Sequence, residues 1–101
     1  MLVNMEGIIS HILDHKRLEA GWWIVEFILS TPAFEKDGKV IAKEQHYTVQ
    51  VWGKEEDHVS SIRTYFEKKV KIECWLNGIK SEKDGKLFFT NKLNLKNLQA
   101  I

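Results

Sequence analysis

Residues 47–54 read Tyr-Thr-Val-Gln-Val-Trp-Gly-Lys, and the interpretation of the whole chain starts from them. Over residues 44–52 apolar side chains alternate with polar ones, and Trp52 falls on the polar face. Strict alternation of this kind predicts a half-buried β-strand. From Lys54 to Phe66 the apolar residues instead fall three or four positions apart, which predicts a helix that begins directly after the strand.

Four other stretches predict strands, so the chain reads as three strands, one helix and two strands. They cover residues 2–13, 22–30, 69–77 and 86–96. Asp37-Gly38 and Asp84-Gly85 are dipeptides typical of hairpin turns, and Gly7 predicts a bulge that bends the first strand. This order predicts an all-β fold with one helix: a five-stranded OB-fold barrel with the helix between strands 3 and 4. No linker or repeat is visible, so residues 1–101 are expected to form a single domain.

Composition excludes several classes of protein and conceals an uneven charge distribution. The single Cys74 cannot form an internal disulfide, and neither a membrane span nor a signal peptide is visible, so a cytoplasmic setting is expected. The formal net charge is +1 in 101 residues. Residues 1–67 carry seven basic and eleven acidic residues, whereas residues 68–101 carry eight lysines and three acids. A basic last third can neutralise phosphates, although the total charge excludes bulk electrostatic coating of duplex DNA.

Residues 42–101 resemble the bacterial single-stranded-DNA-binding protein family. Besides residues 47–54, the resemblance includes Tyr65-Phe66-Glu67-Lys68-Lys69 and the strand Val70-Lys-Ile-Glu-Cys-Trp-Leu76. It implies binding of single-stranded DNA without sequence specificity, in replication, recombination or repair, by a homo-oligomer (a dimer or a tetramer). Lys69 and Cys74 stand where the family usually has glycine. The sequence ends at Ile101, so we expect no acidic-tipped tail for recruiting replication enzymes.

The candidate binding residues are aromatic and basic side chains on the faces that alternation leaves outside the core. A non-specific binder of single strands needs aromatic rings for base stacking and cations for phosphates. The outward faces of three predicted strands supply His46, Trp52, Lys71, Trp75, Lys86, Phe88 and Lys92, whereas the resemblance suggests Phe34. We assign Phe27, Tyr47, Tyr65, Phe66 and Phe89 to the core. Trp22 and Trp23 must point to opposite faces, and the sequence does not decide which is buried.

Other chemistry finds little support in the sequence. His11 and His15 are four residues apart in a region predicted to be strand and loop, where that spacing does not suit a metal site. Cys74 shares a predicted inner face with Ile72 and Leu76, so it is interpreted as an unreactive core thiol. We therefore expect no enzyme activity, no metal and no cofactor.

One close variant of this interpretation, the primosomal accessory protein, and two alternatives to it stay open at this point. The chain could be a protein–protein interaction module that has kept the barrel, or a primosomal accessory protein, which uses a similarly short OB domain. It could also bind RNA, because a stacking groove accepts either polymer.

Overall fold

Eight strands and one short helix make up the backbone of the computed structural model, which describes residues 1–101 and every side chain except that of Phe34. The strands are β1 (Leu2–Ile12), β2 (Lys16–Arg17), β3 (Trp23–Thr31), β4 (Phe34–Lys36), β5 (Lys39–Ala42), β6 (Gln45–Gly53), β7 (Lys69–Lys83) and β8 (Lys86–Ala100). Helix α1 spans Glu56–Ser60, and a 3₁₀ helix follows over Ser61–Tyr65. Helix α1 follows the third of the five long strands. The chain also has three short strands, β2, β4 and β5, that the sequence pattern does not predict. Because of them, α1 lies between the sixth and seventh strands of the chain.

The main sheet closes into a barrel. Its strand order is β1-β7-β8-β6-β3-β2, and β1 also pairs with β3. The first part of β1 pairs with β7 and its last part with β3. Strands β6 and β8 run parallel, with Val49 beside Leu93 and Gln50 beside Asn94, while β4 and β5 form a separate hairpin. A closed barrel of five long strands in this order is an OB fold, so the predicted fold class is confirmed.

Strand β1 bends at Ser10, so the predicted bulge at Gly7 is wrong. The pairing of β1 with β3 shifts register between Ile9 and His11, whereas Gly7 lies in regular register opposite β7. Gly7 is needed for a different reason. A Cβ atom there would lie 2.6 Å from the Ser30 carbonyl oxygen, a distance that side chains do not tolerate. Glycine therefore lets β1 approach β3 closely where the strand passes from one neighbour to the other.

The barrel interior is filled by inward-facing side chains that alternate along the strands. Its buried members are Ile9, Val25, Phe27, Leu29, Val49, Val51, Val70, Ile72 and Cys74. Burial of one aliphatic or aromatic side chain of this size contributes about 1.5–3 kcal/mol. Cys74 lies inward as predicted, and burial, together with the neighbouring Glu73 carboxylate, raises the pKa of its thiol to about 11. The thiol is therefore protonated and unreactive at neutral pH.

The helical segment covers the barrel beside the end of β6. Val59 of α1 and Ile62 of the 3₁₀ helix are buried and join the core. A Cβ atom on Gly53 would lie 2.8 Å from the His58 ring and 3.2 Å from the Val59 side chain. The glycine after Trp52 is therefore what lets the helix fold back onto the strand. No helix of the described residues is both long enough and apolar enough to cross a membrane.

The β7–β8 hairpin extends beyond the barrel as a two-stranded arm, defined here as residues 77–83 and 86–92. These residues pair with each other, whereas β1 pairs with β7 only as far as Trp75 and β6 pairs with β8 only at residues 93–94. The arm turns at Asp84 and Gly85, which have φ angles of 52° and 76°. Both predicted Asp-Gly turns are present, since Asp37 and Gly38 adopt the same conformation.

Two aromatic residues assigned to the core are exposed. The side chain of Phe89 lies in the arm, where no second layer covers it, and is 74% exposed. Phe66 follows the 3₁₀ helix and is 46% exposed. The other three assignments are closer to the structure: Phe27 is fully buried, Tyr65 packs against the core and Tyr47 is half-buried.

Candidate nucleic-acid interface

Two tryptophans and one asparagine meet on the outer face of three adjacent strands. Trp75 on β7 lies opposite Asn94 on β8, and Asn94 lies beside Gln50 on β6. The Trp52 indole N–H donates a hydrogen bond to Asn94 Oδ1 at 3.0 Å, which fixes the edge of the ring. Trp52 and Trp75 are 41% and 44% exposed. Alternation along β6, β7 and β8 therefore brings two of the predicted aromatic residues to one outer surface, as we expected.

A lysine lies over the second of these rings. Lys96 Nζ is 5.1 Å from the centroid of the Trp75 ring, within the range of a cation–π interaction. The same ammonium is 3.3 Å from Glu73 Oε1, and the Asn97 side-chain amide donates to that oxygen, also at 3.3 Å. This surface therefore offers a flat apolar ring and a positive charge side by side. A nucleotide presents the complementary pair, a base and a phosphate.

The predicted arm residues share a face with Trp75 but lie at a distance from it. Lys92 pairs with Asn77, Phe88 with Ser81 and Lys86 with Lys83. Alternation from Asn94 puts all three predicted residues on the continuation of the barrel's outer face. Phe88 is six residues from Asn94, which is about 20 Å along an extended strand. The arm therefore lengthens the aromatic and basic face rather than adding to the tryptophan pair.

Lys71 and His46 lie further from the tryptophan pair. Lys71 is on the outer face of β7, opposite Glu6 of β1 and Gln99 of β8, so one of its strand neighbours is acidic. His46 is six residues before Trp52 on β6. Its Nδ1 shares a hydrogen bond of 2.7 Å with Ser30 Oγ.

The second ring nitrogen of His46 is also engaged. His46 Nε2 lies 2.6 Å from Glu44 Oε1. Because β6 and β8 run parallel, the arm leaves the barrel at the end of β6 that carries His46. The β4–β5 hairpin precedes the same end. Phe34 is the first residue of β4, and its side chain lies outside the described part of the structure.

The structure decides between the two adjacent tryptophans. Trp23 packs against the core, and its ring lies 5.5 Å from that of His15. Trp22 points outward, with Lys54 Nζ 5.2 Å from its ring centroid. Neither Trp22 nor Lys54 is among the predicted site residues, because their relation depends on the register of β3 with β6.

Asn94 and Lys96 are also absent from the predicted site, although the sequence contains a signal for them. Asn94 falls between the apolar Leu93 and Leu95, so alternation already places it on the outer face. Lys96 follows Leu95 and is outward by the same rule. The irregular pairing between Glu73 and Cys74 then lets both Lys96 and Asn97 reach the Glu73 carboxylate.

The two histidines considered for metal binding have other partners. His15 Nε2–H donates to Glu56 Oε1 at 2.8 Å, and Arg63 donates to His15 Nδ1 at 3.4 Å, which ties the loop after β1 to the helical segment. His11 lies 3.3 Å from the Ser10 hydroxyl. Among the described side chains, no group of three or more His, Cys, Asp or Glu residues is placed to hold a metal ion.

The fold is similar to that of solved single-stranded-DNA-binding proteins. The Plasmodium falciparum protein in complex with single-stranded DNA has a TM-score of 0.70 and 17% identity, over 99% of this chain and 93% of that one. A deletion variant of the Thermus aquaticus protein has a TM-score of 0.74 and 16% identity, over 99% of this chain and 49% of that one.

A third similar structure comes from a mitochondrion. Rim1, the mitochondrial single-stranded-DNA-binding protein of S. cerevisiae, has a TM-score of 0.65 and 15% identity, over 100% of this chain and 94% of that one. No family model and no curated protein matches the sequence. The barrel implied by the resemblance is thus confirmed as a fold by the structural comparisons.

Proposed function

We propose that this protein binds single-stranded DNA without sequence specificity, by stacking bases on Trp52 and Trp75 and by placing lysines beside the phosphates. The observation that carries the proposal is the pair of half-exposed indole rings on either side of Asn94, one hydrogen-bonded to it and the other on its strand partner. The similarity in fold supports it, because one of the similar proteins was solved with single-stranded DNA. The resemblance of residues 42–101 points to the same ligand.

Stacking explains why such a site would accept any sequence. Every base has a π face, and a base stacked on an aromatic side chain contributes about 1–3 kcal/mol. The hydrogen bond from Trp52 to Asn94 holds the ring by its edge and leaves a face for a base. The Asn94 oxygen that accepts this bond is engaged by the indole, so Asn94 contributes to positioning more than to reading of base edges.

Lysines would supply the phosphate contacts. Lys96 lies over Trp75, and its ammonium can turn from the ring and Glu73 to a phosphate of a bound strand. Lys86 and Lys92, with Phe88 between them, would extend the contact along the arm, and Lys71 would add a contact on the barrel. Each neutralised phosphate of a single strand adds about −0.7 to the slope of log K against log salt.

Phe34 and His46 complete the proposed site at the end of β6 where the arm leaves the barrel. His46 is exposed but is engaged with Ser30 and Glu44, so a phosphate would have to compete with the Glu44 carboxylate. Its contribution is therefore expected to be smaller than that of either tryptophan. The proposal includes the setting that the resemblance implies: protection of exposed strands in replication, recombination or repair, in the cytoplasm.

A homo-oligomer is part of the proposal. Apolar side chains are exposed on the barrel and on the arm, including Leu2, Ile8, Leu87 and Phe89. Exposed apolar side chains can bind another protein surface, and a dimer or tetramer would cover them with copies of the same chain. The exposed Leu87 and Phe89 also favour the alternative function, in which the chain is a protein–protein interaction module and the arm contacts the partner.

A titration with oligo-dT tests the proposal. The oligonucleotides are about 4 to 16 nucleotides long, which is the range of site sizes of single OB folds. We expect quenching of tryptophan fluorescence at low salt. The affinity obtained from the titration should be lowered by Trp75→Ala and largely retained by Trp75→Phe, because phenylalanine keeps an aromatic ring. Absence of binding at low salt would overturn the proposal and favour the interaction module. Matched oligo-rU in the same titration separates DNA binding from RNA binding.

A further inference from the structure

Trp22 and Lys54 form a second pair of ring and cation, at the end of the barrel near α1. Lys54 Nζ lies 5.2 Å from the centroid of the Trp22 ring. Trp22 precedes β3 and Lys54 follows β6 directly, and the pairing of Trp23 with Gly53 brings the two together. The arrangement repeats that of Lys96 over Trp75, where the separation is 5.1 Å.

This pair lies on the same face as Trp52. Trp52 is opposite Ile24 in the pairing of β3 with β6. Trp22 lies just before β3, two residues before the buried Ile24, and Lys54 lies just after β6, two residues after Trp52. The alternation of the two strands, continued by one position beyond each, puts Trp22 and Lys54 on the side of the barrel that carries Trp52. Two residues along a strand span about 7 Å. The aromatic surface that begins at Trp75 therefore continues past Trp52 to Trp22.

Packing of the core does not account for the position of Trp22. Trp23 fills the inward position at this point and packs against the core, whereas Trp22 is 38% exposed. The Trp22 ring lies beside a lysine, whose long side chain is flexible and whose ammonium group suits a phosphate. A half-exposed indole under a lysine ammonium, next to a proposed stacking site, presents the same chemistry as Trp75 with Lys96.

We propose that Trp22 stacks on a further base and that Lys54 binds the adjacent phosphate, which extends the single-stranded-DNA site past Trp52 to the α1 end of the barrel. This inference rests on the proposed function. In the free protein Lys54 covers the ring, and on binding its ammonium moves to the phosphate while the base takes the ring face. The ligand class is a nucleotide of a single strand that is already held at Trp52 and Trp75.

The test compares two replacements of Trp22 over a series of oligo-dT lengths. Trp22→Phe keeps a stacking ring, whereas Trp22→Leu keeps apolar cover without one. We expect Trp22→Phe to bind like the wild type within about twofold. Trp22→Leu should lose about fivefold or more on long oligonucleotides, the equivalent of one stacked base, and much less on the shortest ones that still bind. Equal affinities of the two variants at every length would overturn the inference.

The lysine has a matched control. Lys54→Ala and Lys68→Ala remove the same charge, and Lys68 is an exposed residue that follows the 3₁₀ helix. Lys54→Ala is expected to reduce the magnitude of the negative slope of log K against log salt by about 0.7, and Lys68→Ala to leave that slope unchanged. An equal change of slope in the two variants would mean that Lys54 acts only through the overall charge of the protein, and would contradict a local contact with a phosphate.

Photo-crosslinking gives a measurement that does not depend on the stability of a variant. The wild-type protein is irradiated with oligo-(5-bromo-dU), and the modified peptides are sequenced. We expect adducts at Trp22 as well as at Trp52 and Trp75. Adducts at Trp52 and Trp75 without Trp22 would overturn this inference and leave the proposed function standing. Absence of both binding and adducts in the wild type would overturn the proposed function itself.

Discussion

The barrel face and the arm both expose aromatic rings beside lysines, but they hold those rings differently. Trp52 is fixed by its hydrogen bond to Asn94, and Trp75 lies under Lys96 on a strand paired on both sides. Phe88 and Phe89 lie on opposite faces of a ribbon that has two strands. A ring that is already fixed loses less entropy on binding than a mobile one. The barrel face is therefore the expected source of affinity, and the arm the adaptable part.

The largest expected difference between the two regions concerns stability. Phe27→Ala should lower the free energy of unfolding by about 3–5 kcal/mol, because it opens a cavity in the barrel. Phe89→Ala, which removes a ring from the exposed arm, should change it by less than about 0.5 kcal/mol. Urea unfolding of both variants measures the difference. A loss at Phe89 comparable to that at Phe27 would mean that the arm packs against another surface in solution.

The next difference concerns affinity for single strands. Replacement of both Trp52 and Trp75 by alanine should cost at least about 2 kcal/mol of binding free energy, roughly 30-fold, since it removes two stacking rings. Phe88→Ala should cost no more than one stacked base. Fluorescence anisotropy of labelled oligo-dT measures both. A larger loss from Phe88 than from the two tryptophans would reverse the comparison and make the arm the principal site.

A third expectation concerns pH and the inner face of β7. The pKa of the Cys74 thiol is raised from 9.0 to about 11 in the folded protein, so above pH 9 the unfolded chain releases the proton first. The stability from this group is thus complete below pH 9 and is lost as pH rises toward 11, at up to about 1.4 kcal/mol per pH unit. Urea unfolding at several pH values measures the slope relative to Cys74→Ala.

The arm provides the control for this measurement. Ser81 lies in the arm and is exposed, so a cysteine placed there in the Cys74→Ala background should react freely with a thiol reagent and add no pH slope. Equal reactivity of the native Cys74 and the Ser81→Cys thiol would contradict a closed barrel around Cys74.

The smallest expected effect concerns the arm lysines. Each phosphate that Lys86 or Lys92 neutralises adds about 0.7 to the magnitude of the slope of log K against log salt. Replacement of both lysines by alanine should therefore reduce the magnitude of this slope by about 1.4, with little change in affinity at high salt. Anisotropy titrations over a salt series give the slope. An unchanged slope would mean that the arm does not lie along the DNA backbone.

Alternation in the sequence is sufficient to predict the outer face of the barrel. Trp52 and Trp75 lie in strands whose inward neighbours are consistently apolar, so their outward position follows from a period of two. The same rule could have found Asn94, which stands between two leucines. These predictions hold because Trp75 lies on a strand paired with both β1 and β8, and Trp52 on a strand paired with β3 along its whole length.

Other features depend on distances that the sequence pattern does not contain. Phe89 obeys the alternation that predicts burial, yet the pattern does not tell where β8 leaves the barrel. Gly7 fits the pattern of a bulge, whereas it allows the close approach of the Ser30 carbonyl oxygen. The exposure of Trp22, and its contact with Lys54, follow from the register of Trp23 with Gly53.

The parallel contact between β6 and β8 closes the barrel through two residue pairs, Val49 with Leu93 and Gln50 with Asn94. The hydrogen bond from Trp52 to Asn94 crosses the same boundary. We therefore expect the barrel to open locally at this short contact between β6 and β8, because few interactions hold it. A DNA strand stacked on both Trp52 and Trp75 would span this contact and hold β6 and β8 together. Amide hydrogen exchange at Gln50 and Asn94 would then slow on binding. The exchange rate at the β6–β8 contact would therefore report how much of the protein has DNA bound.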